Sequence, residues 1–144
     1  SEDIVEAALL RKRAKDFKEA HRLFAQIYSE RMDDPKVVQE FAQTKLALAR
    51  DINPRADLVA KKPLYGEAAE LLHRAIQLAT DPVREAWCWF DLARTLAWLR
   101  EPAAEIETAF LKALSLKPDE ARFKQGYQQW QERERQGGSP SRRQ

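Results

Sequence analysis

Seven prolines divide this chain, at positions 35, 54, 63, 82, 102, 118 and 140. Proline lacks an amide proton and clashes with the preceding helical turn, so it suits the first turn of a helix and not its interior. Most intervals between them hold 15 to 20 residues, enough for one helix and a short connection. Three follow a capping residue directly, as Asp34-Pro35, Asn53-Pro54 and Asp81-Pro82. A side-chain oxygen at such a position accepts from a first-turn amide that has no partner inside the helix. Strand punctuation is missing. Only four of the 144 residues are glycine, two of them the adjacent Gly137 and Gly138, whereas β-hairpin turns draw heavily on glycine.

Apolar residues recur at spacings of three and four. Phe17, Ala20, Leu23, Phe24 and Ile27 form one stripe, and Ala68, Leu71, Leu72, Ala75 and Ile76 form another. This spacing and the prolines together predict helices over about 2–14, 17–31, 35–51, 64–79, 82–99, 103–116 and 119–135. Hydrophobic residues make up 44% of the chain, enough for a continuous core, and charged residues 33%. Residues 1–135 therefore read as one helical domain, and 136–144, QGGSPSRRQ, as a flexible polar tail or linker.

Short helix pairs at regular intervals invite a search for internal repeats. The clearest unit is Trp89-x2-Leu92-Ala93-x2-Leu96, then Ile106-x3-Phe110-x2-Ala113, then Pro118. A second runs Val38-x2-Phe41-Ala42, then Ala68-x3-Leu72-x2-Ala75. A third, earlier in the chain, runs Ile4-x2-Ala7-Ala8, then Ala20-x3-Phe24-x2-Ile27. These units resemble the tetratricopeptide repeat, whose signature is W-x2-L-G-x2-Y, then A-x3-F, then P. The resemblance covers residues 2 to about 118. It implies an all-α right-handed solenoid of three helix pairs, with 119–135 as a capping helix whose apolar stripe is Phe123, Tyr127 and Trp130. Small residues at Ala42 and Ala93 would let paired helices approach, while Phe24, Leu72 and Phe110 would fill the space between pairs. The usual period is ~34 residues, but Phe24 to Leu72 spans 48 and Leu72 to Phe110 spans 38.

The first excess falls mostly in an insert at 51–63 within the second repeat. There Asp57, Leu58 and Val59 read either as a helical turn lying along the surface, with Lys61 and Lys62 exposed, or as part of a tolerated insertion.

The sequence carries no phosphate-cradling glycine loop, nucleophile elbow or zinc-protease motif. His21 and His73 lie in different repeats and read as surface or edge positions. Cys88, the one cysteine, stands among Trp87, Trp89 and Phe90 and reads as a buried, inert thiol. The expectation is a noncatalytic protein without cofactor or metal. A single cysteine fits a reducing compartment such as the cytoplasm, and no apolar run reaches the ~18 residues of a membrane span. Net charge is +2, which disfavours nucleic acid as the main partner. The basic run Arg11–Lys18 reads foremost as a solvated helix end and secondarily as an anion contact.

The resemblance also implies a partner: another protein or peptide, held by the first helix of each pair. By register, the positions facing such a groove include Leu9 and Lys12, then Gln39 and Gln43, then Trp87, Phe90, Arg94 and Trp98. The segment AWCWFDLARTLAWL is apolar nearly all round, so the stripe of Trp87, Phe90, Arg94 and Trp98 is left over after the repeat signature has used Trp89, Leu92, Ala93 and Leu96. That stripe is either packing or the floor of a groove, with Lys12 and Gln43 expected across from it. A subgroup of the family grips C-terminal carboxylates of heat-shock chaperones with Lys and Asn. The matching places here are Val5, Leu9, Glu40, Trp87 and Asp91, which do not fit. Self-association through exposed aromatics, giving a homodimer, is the main alternative to binding a different protein, and an accessory domain contacting nucleic acid through Arg11–Lys18 and the basic tail is a lesser one.

Overall fold

A computed structural model of the chain describes residues 2–51 and 58–137. Among them all regular structure is helical: α1 (Glu2–Arg13), α2 (Phe17–Arg31), α3 (Pro35–Asp51), α4 (Leu58–Leu78), α5 (Pro82–Trp98), α6 (Ala103–Leu116) and α7 (Ala121–Arg135). Two of the anticipated proline caps are formed. Asp34 Oδ1 accepts from the Lys36 amide at 3.0 Å, and Asp81 Oδ1 accepts from the Val83 amide at 2.9 Å. The third, Asn53-Pro54, lies outside the described residues, as does the tail beyond Gly137.

The fourth helix departs from expectation. It begins at Leu58 and carries Pro63 inside it, so the proline does not mark a helix start. Part of the supposed insert is therefore helix, while Asp57 lies outside the described residues. Pro63 costs the helix one interior hydrogen bond but its fixed φ is helical, and the turn before it persists. Lys61 is buried and not exposed, whereas Lys62 is exposed. The reason is register: Tyr65 and Ala68, one and two turns further on, belong to the same buried stripe.

The chain forms two compact units, divided between Ala79 and Thr80. In the first, α1 to α4 pack consecutively. His21 on α2 meets the late α3 residue Lys45, and Tyr28 meets the earlier Phe41, so these helices run antiparallel. Arg74 late in α4 reaches Asp33 ahead of α3 at 2.7 Å, and Lys45 reaches the earlier Glu67, so α3 and α4 are antiparallel too. Many of the expected repeat positions are enclosed, although Ile4, Ala7 and Trp89 are only half-buried. Ala8, Ala20, Phe24, Ile27, Ala42, Ala68, Leu72 and Ala75 are all fully enclosed, and Phe24 stacks on Phe41 of the next helix pair at 5.9 Å between centroids.

In the second unit α5 packs on α6, and α7 closes over both. Phe123 lies against Trp87 and Phe90, at 4.7 and 4.8 Å between ring centroids. Tyr127 and Trp130 lie against Phe110 at 5.6 and 5.8 Å. The remaining positions of α7 are mostly polar and exposed. This helix covers the aromatic side of its hairpin, the role expected of a cap.

The α1–α2 and α5–α6 connections close in the same way. In the first, the Asp16 amide bonds the Arg11 carbonyl and the Lys15 amide bonds the Lys12 carbonyl. In the second, the Glu101 amide bonds the Leu96 carbonyl and the Arg100 amide bonds the Ala97 carbonyl. Both are Schellman closures, and each puts an L-residue in the left-handed region, Lys15 at φ 63° and Arg100 at φ 59°. Arg11 and Leu96 also correspond when Ala8 is aligned with Ala93. The two hairpins thus share their turn geometry and the enclosed alanines Ala8 and Ala93 at one register.

Candidate functional site

Helix α5 carries the left-over aromatic stripe, and the structure divides it. Phe90 is buried, with rings of Phe110, Phe123 and Trp87 around it. Its expected place in a binding groove is thus corrected: α7 returns over this part of the stripe and makes it core. Trp87 is half-buried beside it, with the Arg122 guanidinium 5.9 Å from its ring centroid. Arg94 and Trp98 are different. The Arg94 side chain is 47% exposed, lies 4.9 Å over the Phe90 ring, and stands 3.9 Å from the Asp91 carboxylate. Trp98, one turn further along the same side of α5, is 38% exposed. A planar cation beside an accessible indole offers two-point recognition of an acidic group next to an apolar one.

The other expected contact residues lie in the first unit. Lys12 Nζ donates to Glu40 Oε1 at 2.6 Å and to Gln43 Oε1 at 2.7 Å, tying the end of α1 to the middle of α3. The structure therefore brings Lys12 and Gln43 together, with Glu40 as counter-charge. Leu9 and Gln39 are buried and line no open surface. Leu9 follows the enclosed Ala8 and lies one turn beyond buried Val5, which turns it toward the core.

A second polar cluster was not anticipated. Lys45 on α3 is buried, yet its ammonium reaches Glu67 Oε1 on α4 at 2.8 Å and His21 Nε2 on α2 at 2.9 Å. It also sits 4.5 Å from the centroid of Phe41, against whose ring His21 packs edge-on. An ammonium can only donate, so His21 Nε2 accepts and the ring proton resides on Nδ1. Burial, reinforced by the Lys45 charge and opposed by Glu67, holds the His21 pKa below its ordinary 6.5. The sequence signal was present in Lys45 itself, which follows Phe41 by four residues and so falls on the core stripe of α3. His21 is half-buried.

Elsewhere the chemistry is sparse. Burial pushes the Cys88 thiol up to about 12, so it holds its proton at neutral pH. Of the basic run, Lys12 is turned toward Glu40, while Arg11, Arg13, Lys15 and Lys18 are exposed. Among the described residues no group of three His, Cys, Asp or Glu side chains could hold a metal ion, and no helix is long and apolar enough to cross a membrane.

These features define an all-helical protein built from consecutive helix hairpins. No protein-family model matches the chain, and a search of the curated proteins finds no match either.

Proposed function

We propose that this chain is a tetratricopeptide-type helical-repeat protein and a noncatalytic binding module for a peptide or helical segment of another protein. The repeat reading is supported by the enclosure of the small positions Ala8, Ala42 and Ala93 and of Phe24, Leu72 and Phe110, and by the shared Schellman closure of two hairpins. The binding reading rests on one observation: Arg94 and Trp98 are accessible on a helix whose other large aromatics are wholly or partly covered. Arg94 would pair with a carboxylate of the bound segment while Trp98 packs against an adjacent apolar side chain. Lys12, Glu40 and Gln43 form a second polar patch, suited to hydrogen bonds with a peptide backbone or side chains.

A displayed random-peptide selection against the purified chain tests this. Selected peptides should combine an acidic with an apolar residue. Their affinity should fall at least ~30-fold in Trp98→Ala, as for a hot-spot residue, and should be lost in Arg94→Glu without change in thermal stability. Binding untouched by both substitutions, or an unfolded Arg94→Glu protein, would overturn the assignment. A chain that sediments as a dimer, and as a monomer after Trp98→Ala, would instead show that a second copy occupies the patch.

A further inference from the structure

We propose that His21, Lys45 and Glu67 form a proton-sensitive latch: with His21 neutral, Lys45 ties α2, α3 and α4 together, and protonation of His21 releases it. The geometry carries the inference. The buried ammonium of Lys45 has two polar partners, Glu67 at 2.8 Å and His21 Nε2 at 2.9 Å, and the face of Phe41. Protonation of His21 converts its Nε2 from acceptor to donor and places two cations within 2.9 Å of each other. The hydrogen bond is lost and repulsion replaces it. Glu67 is the sole remaining counter-charge among these partners and is itself 55% exposed, so it is well hydrated and compensates weakly.

Among the described residues, the charged groups acting on His21 are Lys45 from α3, which opposes its protonation, and Glu67 from α4, which favours it. Burial and Lys45 prevail, so the closed arrangement binds the proton less readily than an open one with a normal histidine. The sign follows from linkage. The open form takes up the proton first as pH falls, so the latch is fully held above 6.5 and weakens below it. Each pH unit below that value shifts the opening equilibrium by up to ~10-fold while the closed form stays neutral, or up to ~30-fold by pH 5. Helix α3 also bears Glu40 and Gln43, so the latch acts on a helix that carries the Lys12 patch.

The test is amide hydrogen exchange in the full chain at pH 7.5 and 5.0, expressed as protection relative to the unfolded peptide rate. Protection of amides around Glu67 in α4 and around His21 in α2 should fall on acidification, by at most ~30-fold. His21→Gln keeps an acceptor for Lys45 but cannot titrate, and should abolish the change. Substituting the other histidine, as His73→Gln, should leave it intact. The His21 ring should titrate below 6.5 by NMR, and Lys45→Met should raise its midpoint. An unchanged pH response in His21→Gln, a wild-type response that is flat, or a wild-type His21 midpoint at or above 6.5 overturns the latch, and the last of these can be read even if Lys45→Met fails to fold.

Discussion

The same substitution at two helical glycines should have opposite effects. A Cβ at Gly66 in α4 meets nothing within 4 Å. Gly66→Ala should therefore express the intrinsic helix preference of alanine alone and stabilise the first unit by ~0.5–1 kcal/mol. A Cβ at Gly126 in α7 falls 2.6 Å from Cε1 and 3.1 Å from Cζ of Phe90, and 3.5 Å from Cε1 of Phe110. Relief would require the Phe90 ring or α7 to move by about 1 Å, given an ordinary carbon contact of ~3.5–4.0 Å. The ring cannot swing aside, because Trp87, Phe110 and Phe123 already surround it. Overpacking of this kind costs ~1–3 kcal/mol, against the same helix gain of ~0.5–1 kcal/mol, so Gly126→Ala should destabilise the second unit by up to ~2.5 kcal/mol. Urea denaturation followed by tryptophan fluorescence reports it, since Trp87 and Trp130 both lie beside α7 contacts. A Gly126→Ala protein stabilised as much as Gly66→Ala would refute the close seating of α7 on α5.

Two further outcomes follow from the core and the turns. Phe110→Ala should cost ~3–5 kcal/mol, because its ring is enclosed by Phe90, Tyr127 and Trp130; a loss below ~1 kcal/mol in the same denaturation assay would place it at the surface. Lys15→Gly and Arg100→Gly should each raise stability by ~0.5–1 kcal/mol by removing the left-handed penalty of an L-residue, and a decrease in thermal midpoint for both would contradict the Schellman closures.

Much of the helical layout was legible in the sequence. Six of the seven helices lie within about two residues of the spans that proline, caps and apolar spacing predict. The physical basis is locality: a helix end is decided by a side chain and an amide two or three residues apart, as at Asp34 and Asp81. The start of α4 escaped because a proline can be accommodated beyond the first turn when neighbouring bonds persist, so Pro63 was a weaker signal than it looked. The candidate site was legible only in part. Register alone placed Arg94 and Trp98 on one side of α5, and both are accessible.

The sequence by itself determined most of the helix bounds and their apolar stripes, with Ala8, Ala42 and Ala93 on the buried side, since these depend on neighbours within a turn or two. Only the tertiary structure decided which stripe of α5 is covered. That outcome depends on α7, which folds back from beyond residue 120 and buries Phe90 while leaving Trp98 accessible. The tertiary structure also decided the fate of Lys45. A lysine on a core stripe is tolerated only when partners satisfy its charge, and these come from His21, 24 positions earlier, and Glu67, 22 positions later. No local pattern encodes that meeting, because it exists only once three helices have packed.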